Sequence, residues 1–368
     1  MRIVFLTSSM GAGGAERVAT TLCNAWVARG DSVTLIATFS GGGERPFYRI
    51  SDAVEFMYLA NAIGDRKKGI VSSLRRLAAL RKLIVQRQPH VIVSFLPNVN
   101  VAAVISTAFL RIPVIICERS DPSSRSYPWH LKLLCKLSYP FANMLTVQTE
   151  SVARKIREIF PGLGVIRIAP NPLPEAVAEI ARSRCSERKI LLSLGRLSRE
   201  KQVDKLVRAF GTVAASFPDW DMYIYGDGPL SANLARQIAD EGLAARVLLK
   251  GRTDVPWKVM ADADAFVLVS AYEGFPNALL EAMGIGLPCV AFDCPSGPRE
   301  ITANGQDAFL VPLNDREGLV RALERIMADG ELRLALGKRA QDSVRKRFGL
   351  PRIMQQWDAF FKEVGAIR

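Results

Sequence analysis

The stretch Glu273-Gly-Phe-Pro-Asn-Ala-Leu-Leu-Glu281 follows a predicted strand and carries a carboxylate at each end. Pro276 fixes φ and has no N–H, so we predict that a helix begins there and runs to Gly284 or Gly286. Glu281 then lies about 7.5 Å along the helix axis, at about 1.5 Å per residue. The free N–H groups of a helix start favour an anion such as a diphosphate. The stretch therefore predicts an anion-binding turn with a carboxylate on each side for hydroxyl groups.

Short β-branched runs alternate with amphipathic helical stretches along the chain, which is typical of parallel strands covered by helices. A proline-rich passage, Ala169-Pro-Asn-Pro-Leu-Pro174, separates two series of predicted strands. The first series is Ile3 to Leu6, Ser32 to Ala37, Val91 to Phe95, Val114 to Cys117 and Leu145 to Gln148. The second series is Ile190 to Leu194, Met222 to Tyr225, Arg246 to Leu249, Ala265 to Val269 and Pro288 to Ala291.

The length of 368 residues is too great for one ordinary core. We therefore predict an α/β chain with two domains, residues 1–170 and 171–350, and a natural linker from Arg182 to Lys189. A C-terminal helix over residues 351–368 is expected to pack back onto the first domain.

The positive charge is concentrated in the first half of the chain. Residues 1–170 contain 22 Lys+Arg and 10 Asp+Glu, for a net charge of +12, whereas the remaining residues hold 27 and 26, for +1. The first domain should therefore meet an anionic partner: lipid headgroups, an acceptor phosphate or nucleic acid. The alternative is a generally basic protein without such a partner.

The chain shows no pattern typical of export, membrane insertion or metal binding. Six scattered cysteines without a C-x-x-C pair predict reduced, buried thiols in a cytoplasmic protein. Residues 1–10 lack the apolar region of a signal peptide. Val91 to Leu110 is uncharged, but Pro97, Asn98 and Asn100 divide it into a strand, a loop and a buried helix. Asp219-Trp-Asp221 and Asp262-Ala-Asp264 precede strands, and we expect no metal there.

Glycine-rich or basic turns follow three predicted strands. Ser9-Met-Gly-Ala-Gly-Gly-Ala-Glu-Arg17 leads into a helix near Ala15, where backbone amides can approach a phosphate. Gly195-Arg196-Leu-Ser-Arg-Glu-Lys201 brings two cations that can clamp a diphosphate. Tyr225-Gly-Asp-Gly-Pro229 is a further tight turn at the same sheet edge, where ligands of open α/β sheets gather. Tight packing and a solvated basic loop are the alternatives.

Four motifs in this order resemble the retaining glycosyltransferases of family 4: Gly-Gly-Ala-Glu, Gly-Arg-Leu-x3-Lys, Gly-Asp-Gly-Pro and E-x7-E. The resemblance implies the GT-B fold, two Rossmann-like domains with parallel sheets that face each other across a cleft. It also implies that Arg196 and Lys201 bind the donor diphosphate, Glu281 the ribose diol, and Glu273 the donor sugar near the reacting carbon. The further donor-binding residues it implies are Gly13, Gly14, Gly226, Arg252, Thr253, Gly274, Phe275 and Asn277.

The expected chemistry needs no cofactor and no metal. Cations stabilise the departing nucleotide diphosphate, and a carboxylate stabilises the oxocarbenium-like sugar. The resemblance implies same-face attack, in which the leaving phosphate helps to take the acceptor proton, so Glu273 is not assigned as a covalent nucleophile. Many family members carry a histidine where this chain has Arg119, within Cys117-Glu-Arg-Ser-Asp-Pro122. Because arginine cannot accept a proton, we expect Arg119 to bind a donor or acceptor phosphate.

A basic amphipathic segment, Arg66 to Arg87, is the candidate acceptor site. Arg75 and Lys82 share one face, and Arg76 and Arg87 share another. Arg81 projects from an apolar stripe, where it must snorkel or reach a bound anion. The stripe comprises Ile70, Leu74, Leu77, Ala78, Ile84 and Val85. Such a helix lies on a membrane surface or covers its own sheet. The predicted acceptor-binding residues are Arg75, Arg76, Arg81, Lys82 and Glu118.

The combined hypothesis is transfer of an N-acetylhexosamine or hexose from a UDP-sugar to a polyprenyl-diphosphate-linked glycan. The enzyme is expected to be peripheral on an anionic membrane surface, at the inner face of the plasma membrane, and not to bind nucleic acid. The chain resembles bacterial enzymes that extend lipid-linked oligosaccharides, including N-acetylgalactosaminyl transferases of bacterial N-glycan assembly. The alternatives are a nucleotide-sugar epimerase, or a glycosyltransferase with a soluble or lipopolysaccharide acceptor.

Overall fold

The computed structural model describes residues 1–40, 45–63, 70–119, 127–182 and 188–367, with Ile70 described in its backbone alone. The chain forms two compact units. Unit 1 comprises Met1–Pro172 and Pro351–Arg368, and unit 2 comprises Leu173–Leu350. Each unit contains one parallel sheet packed against helices, so the prediction of two Rossmann-like α/β domains is confirmed.

The sheet of unit 1 has seven parallel strands in the order β3-β2-β1-β4-β5-β6-β7. They are β1 (Arg2–Thr7), β2 (Ser32–Ala37), β3 (Glu55–Tyr58), β4 (Val91–Phe95), β5 (Val114–Cys117), β6 (Met144–Val147) and β7 (Ile166–Ile168). The helices are α1 (Gly14–Ala28), α2 (Leu59–Ile63), α3 (Ile70–Arg87), α4 (Pro97–Thr107), α5 (Trp129–Ser138) and α6 (Glu150–Ile159). A 3-10 turn, Tyr139–Phe141, continues α5.

The sheet of unit 2 has six parallel strands in the order β10-β9-β8-β11-β12-β13. They are β8 (Lys189–Leu194), β9 (Trp220–Tyr225), β10 (Val247–Gly251), β11 (Ala265–Leu268), β12 (Cys289–Asp293) and β13 (Phe309–Pro312). The helices are α7 (Glu175–Glu179), α8 (Val203–Val213), α9 (Ser231–Asp240), α10 (Pro256–Ala261), α11 (Asn277–Ile285), α12 (Pro298–Ile301), α13 (Arg316–Ala328) and α14 (Gly330–Phe348). A 3-10 turn, Arg199–Lys201, precedes α8.

The last helix, α15 (Leu350–Glu363), packs against unit 1. Its Trp357 and Phe361 meet Trp26 of α1 with ring centroids 5.7 and 5.6 Å apart. Asp358 forms an ion pair of 2.6 Å with Arg29. These buried aromatic contacts make α15 part of the core of unit 1.

The ten predicted strands are all present, with shifts of a residue or two at their ends. Three strands, β3, β7 and β13, are missing from the sequence prediction. Each lies at an edge of its sheet and is only partly buried, so it lacks the continuous apolar run that marks the central strands. Val91 to Leu110 contains the predicted strand, β4, and the predicted buried helix, α4. The predicted loop between them is reduced to Leu96, because the helix begins at Pro97 and includes Asn98 and Asn100. No helix of the described residues is long and apolar enough to span a bilayer.

Candidate active site

The loops after β8 and β11 meet at the carboxyl edge of the second sheet. β8 lies between β9 and β11, so strand order reverses at β8, and open α/β sheets bind ligands at such a point. Ala271 donates its backbone N–H to the Glu200 carbonyl at 2.7 Å, which joins the two loops. Lys201 Nζ contacts Glu273 Oε1 at 2.5 Å. Two residues that lie far apart in the sequence thus form an ion pair at the switch point.

Hydrogen bonds fix Glu273 through both its side chain and its backbone. Ser270 donates its hydroxyl to Oε1 at 2.6 Å, and the Glu273 backbone N–H donates to the Pro295 carbonyl at 2.7 Å. Its side chain is 11% exposed, and that of Lys201 is 25% exposed. The Lys201 ammonium has three N–H groups, so pairing with one oxygen leaves it able to bind a second acceptor. The site therefore places a fixed carboxylate beside a cation.

A buried thiol lies near this pair. Burial raises the pKa of Cys294 to about 12, with a smaller contribution from Glu273. The thiol is therefore protonated at neutral pH and unsuited to nucleophilic attack.

Glycines allow the loop that carries Arg196 to pack closely on the next strand. Gly226 has φ +140°, and a Cβ there would lie 1.8 Å from the Gly195 carbonyl oxygen. A Cβ on Gly228 would lie 2.4 Å from the Leu197 carbonyl oxygen. The structure thus gives Gly226 a packing reason for its lack of a side chain. The loop holds Arg196 exposed at the sheet edge.

The helix α11 begins at Asn277, one residue later than predicted. Pro276 has ψ 98°, outside the helical range, and it is the N-cap. Its carbonyl accepts the first helical hydrogen bond from Leu280 at 3.1 Å. No side-chain cap accepts a hydrogen bond from the N–H groups in the first turn of α11.

Glu281 lies in the fifth position of α11 and is 1% exposed. Trp257, in α10, donates its indole N–H to Glu281 Oε2 at 3.0 Å. This hydrogen bond to a buried carboxylate fixes the orientation of the side chain. Trp257 and Ser270 are the two site residues that the sequence analysis missed, because neither belongs to a motif.

The other donor-side candidates occupy different surroundings. Phe275 is buried and packs against Phe348 with ring centroids 5.5 Å apart, so its side chain belongs to the core of unit 2. Gly274 accepts a hydrogen bond from the Ser296 hydroxyl at 2.8 Å. Thr253 accepts one from the backbone of Val255 at 3.1 Å, which shapes the turn before α10. Arg252 is exposed after β10.

The glycine-rich turn of unit 1 contains a carboxylate of its own. Gly13 is the N-cap of α1 and Gly14 is its first residue. Ser9 donates its hydroxyl to Glu16 Oε1 at 2.6 Å, and a Cβ on Gly13 would lie 2.1 Å from Glu16 Oε2. The Glu16 side chain therefore folds back over the turn, next to the helix start that was expected to bind sugar and phosphate.

Arg119 joins the carboxyl ends of several strands in unit 1. Its guanidinium lies 3.8 Å above the Phe95 ring and donates to the Ala169 carbonyl at 3.2 Å and to Asn171 Oδ1 at 3.1 Å. Burial lowers the pKa of Arg119 from its ordinary value. The cation is thus held at the sheet edge by these contacts.

Glu118, a predicted acceptor-binding residue, is buried. It accepts a short hydrogen bond from the Tyr139 hydroxyl. Burial, and then the charge of Glu118, raise the pKa of Tyr139 well above its usual value. This pair links β5 to the turn after α5. Ser120 to Pro122, which complete the predicted motif, lie outside the described residues.

The structure divides the predicted stripe of α3. Ile84 is buried and Leu77 half-buried, whereas Leu74, Ala78 and Val85 are exposed. Residues 66–69 lie outside the described part of the chain, as does the side chain of Ile70. The helix thus covers its sheet with one face only.

The four cations of α3 that were predicted to bind the acceptor differ in their contacts and exposure. Arg81 donates to the carbonyls of Ser106 at 3.1 Å and Ala108 at 2.8 Å, so its guanidinium binds the end of α4. Arg76 donates to the Thr38 carbonyl at 3.1 Å. Arg75 and Lys82 are exposed.

The D-x-D strings have structural partners. Asp221 pairs with Arg188 at 2.6 Å and with Arg246 at 2.9 Å. Asp264 Oδ2 accepts the backbone N–H of Ile190 at 2.9 Å. These carboxylates tie loops to β8 and β9. Cys185 lies outside the described residues, and the other five cysteines are free and buried.

Family models match both halves of the chain. Residues 13–172 match the model described as "Glycosyl transferase 4-like domain", and residues 179–343 match "Glycosyl transferases group 1".

Two relatives match nearly the whole chain. An exopolysaccharide phosphotransferase of Streptomyces coelicolor is 30% identical over 99% of this chain, which spans only 41% of that protein. A GalNAc-alpha-(1->4)-GalNAc-alpha-(1->3)-diNAcBac-PP-undecaprenol alpha-1,4-N-acetyl-D-galactosaminyltransferase of Campylobacter jejuni is 26% identical over 99% of both chains.

Solved structures share the fold. Sucrose-phosphate synthase from Thermosynechococcus elongatus superimposes with a TM-score of 0.84 at 18% identity, over 100% of both chains. HepE from Anabaena in complex with UDP gives 0.79 at 19%, over 98% of this chain and 100% of that one. These neighbours are GT-B proteins, and the predicted fold class is thereby confirmed. With a 4-like domain followed by a group 1 domain on this fold, the chain belongs to the GT-B glycosyltransferases.

Proposed function

We propose that this glycosyltransferase moves a sugar from a UDP-sugar to a polyprenyl-diphosphate-linked glycan at the cytoplasmic face of the membrane, with retention of configuration and without a metal. The observation that carries the proposal is the Lys201–Glu273 ion pair at the switch point of the second sheet. It lies where an open α/β sheet binds its ligand, beside the start of α11.

The charges of this edge match a nucleotide diphosphate. Lys201 and the exposed Arg196 supply two cations from one loop, and the first turn of α11 supplies N–H groups and partial positive charge. Both can stabilise the negative charge that develops on the departing diphosphate. We assign these two cations to the leaving group.

The two carboxylates then take different parts of the donor. Glu273, fixed by Ser270 and Lys201, is assigned to the sugar, where a negative charge favours an oxocarbenium-like transition state. Glu281, oriented by Trp257, is assigned to the ribose hydroxyls. The protonated Cys294 thiol is unsuited to forming a covalent intermediate with the sugar.

The choice of donor base and acceptor rests on known proteins. HepE, a fold neighbour, was crystallised with UDP, and the Campylobacter relative is named for an undecaprenol-linked glycan acceptor. On the chain itself, Arg119, Arg75 and Lys82 are cations of unit 1 that can meet an acceptor diphosphate.

A panel of nucleotide-sugars tests the proposal, with a short-chain polyprenyl-diphosphate glycan as acceptor and released UDP or GDP as the readout. We expect UDP release from one UDP-sugar to rise when the acceptor is added, and the product to retain the anomeric configuration by NMR. EDTA should leave the rate unchanged. Product formation with an inverted anomeric centre, or transfer that EDTA abolishes, would contradict the mechanism.

The same panel without acceptor separates transfer from epimerisation. An epimer of the donor sugar appearing in that incubation would replace transfer as the primary activity. Glu281→Ala should weaken donor binding far more than acceptor binding, whereas Glu317→Ala, on an exposed face of α13 in unit 2, serves as the matched control. Equal losses of donor and acceptor affinity in Glu281→Ala would contradict the assignment of Glu281 to the ribose.

A further inference from the structure

Unit 1 has a large apolar groove at the edge of its sheet opposite the strand carboxyl ends. The groove has a volume of about 780 Å³ and lies between the end of α4, the loop that leads to β5, and α5. Its apolar lining includes Ile105, Phe109, Leu134, Leu137 and Phe141. No residue of the candidate active site contributes to it.

The aromatic side chains around the groove are turned outward. Phe109 is 103% exposed and Phe141 79% exposed. Phe109 also has φ +64°, a left-handed conformation that costs energy for a bulky residue. Contiguous apolar surface is unfavourable in water, so such a group of side chains indicates a partner that removes it from water.

The helix α5 extends this surface toward the opposite edge of the sheet. Trp129, Leu133 and Leu137 follow at intervals of four residues, so they form one stripe, and all three are exposed. Only Cys135 and Ser138 of α5 are buried. Most of this helix therefore faces solvent with an apolar surface.

The charges of the same surface are of one sign. In residues 104–117 and 127–149 the charged side chains are Arg111, Lys132 and Lys136, and neither range contains Asp or Glu. Lysines between leucines, with a tryptophan at the end of the helix, are typical of surfaces that lie among lipid headgroups. A protein partner would instead be expected to meet a mixed polar rim.

We infer that the surface formed by α5, the turn Tyr139–Phe141 that continues it and residues 105–113, which we call the α5 surface, binds the face of an anionic bilayer. The apolar side chains enter the acyl region, and Arg111, Lys132 and Lys136 pair with lipid phosphates. The inference rests on the proposed function in one respect only: membrane binding holds the enzyme where a lipid-linked acceptor lies.

The α5 surface differs from the site predicted on α3. The helix α4 packs against both α3 and α5, and its residues are buried apart from Asn98, which is half-buried, and Ile105, which is exposed. On α3 the exposed residues Val71, Leu74 and Val85 are aliphatic, and the helix carries no aromatic side chain. The α5 surface combines aromatic side chains, a groove and an unopposed positive charge, so we assign membrane insertion to it.

Co-sedimentation of the full chain with vesicles tests this assignment. The vesicles contain phosphatidylcholine alone or with an equal amount of phosphatidylglycerol. We expect binding that requires phosphatidylglycerol and weakens at least tenfold in Phe109→Ser/Leu137→Ser/Phe141→Ser, whose replaced side chains are exposed and whose fold is checked by circular dichroism. Lys132→Glu/Lys136→Glu should lose binding at low salt. The matched controls are Leu334→Ser in unit 2 and Leu74→Ser/Val85→Ser on α3.

Wild-type binding by the triple variant, or loss of binding in the α3 control instead, would overturn the assignment. So would a wild-type dimer that the triple variant converts to a monomer without any change in vesicle binding, since the surface would then be an interface between copies. Transfer to a short-chain acceptor in detergent-free solution separates this inference from the proposed function. Variants that lose vesicle binding but retain that transfer support the inference, whereas a wild type that binds vesicles and transfers no sugar contradicts the proposed function alone.

Discussion

The two units share a strand order but differ in what their surfaces expose. In both, the sheet begins with the order 3-2-1 and continues outward from the first strand on the other side. Among the described residues, fourteen large apolar side chains are exposed in unit 1 and four in unit 2. Residues 1–170 carry a net charge of +12, and the remaining residues +1. One architecture thus supports two kinds of surface.

The difference is also seen at the carboxyl edges of the sheets. In unit 2, Ser270 fixes the Lys201–Glu273 ion pair at the switch point of the sheet. Trp257 fixes a second carboxylate, that of Glu281 in α11. In unit 1 the corresponding edge holds Arg119 stacked on Phe95. This contrast supports a division of labour, with donor chemistry in unit 2 and contacts to acceptor and membrane in unit 1. The following predictions test that division.

Lys201→Ala should have the largest effect. It removes the cation assigned to the leaving diphosphate, and loss of such a stabilising group typically lowers kcat by about a hundredfold or more. The measurement is kcat at saturating donor. Lys205→Ala removes an equal charge four residues away, where the ammonium donates to the Asn314 side chain at 2.6 Å. A fall in kcat of similar size in both variants would show a general charge effect and break the comparison.

Gly226→Ala should destabilise unit 2 at the sheet edge where the loop that carries Arg196 packs on Gly226. Its φ of +140° and the 1.8 Å approach to the Gly195 carbonyl leave no room for a methyl group, and we expect a loss of about 2–4 kcal/mol in the free energy of unfolding. Gly242→Ala is the matched control, since Gly242 has φ +69° but nothing near its Cβ position, and should cost about 1 kcal/mol. Urea denaturation measures both. Equal losses of unfolding free energy in the two variants would mean that backbone strain, and not the close approach to Gly195, causes the loss in Gly226→Ala.

Trp257→Phe should weaken donor binding by about tenfold to a hundredfold, because a hydrogen bond to a charged group contributes about 1.5–3 kcal/mol. The ring is kept and only the N–H to Glu281 is lost. If Trp257 positions Glu281 for the ribose, the donor KM should rise while kcat changes less. A fall confined to kcat would place Glu281 at the reacting carbon instead.

Arg75→Glu/Lys82→Glu should lower transfer to a lipid-linked acceptor several-fold through charge reversal on an exposed face, with screening by salt. Donor hydrolysis should be unchanged, as the division between the units requires. The measurement is UDP release with and without acceptor at two salt concentrations. Unchanged transfer would remove α3 as an acceptor site, and impaired hydrolysis would contradict the division.

Glu55→Gln should have the smallest effect. Arg87 lowers the pKa of Glu55, burial opposes this, and Thr34 adds to it. A lowered pKa contributes stability above the usual range of the carboxyl group, and this is lost as the pH falls through the lowered pKa. For a half-exposed pair we expect less than about 1 kcal/mol at neutral pH and no difference in acid, by thermal unfolding. A difference that persists in acid would exclude the ion pair as its cause.

The sequence predicted the longer elements and the motif positions, and it predicted less about contacts. The buried strands are recognisable because their apolar runs are long enough to show a period, and Pro276 marks a helix start to within one residue. The sequence did not show which face of each helix packs against a neighbouring element. Arg81 appeared to interrupt an apolar stripe, but it binds carbonyls of α4, a partner that only the packing of two helices provides.

Local chemistry by itself determined where an anion could be held. Glycines, a proline and paired charges act over a few residues, so their pattern survives in the linear sequence. Tertiary structure alone decided which of these groups meet. Lys201 and Glu273 are 72 residues apart and come together because β8 and β11 are neighbours in the sheet. It also decided that α5, and not only α3, exposes apolar side chains, because burial depends on what packs against a helix and not on its own sequence.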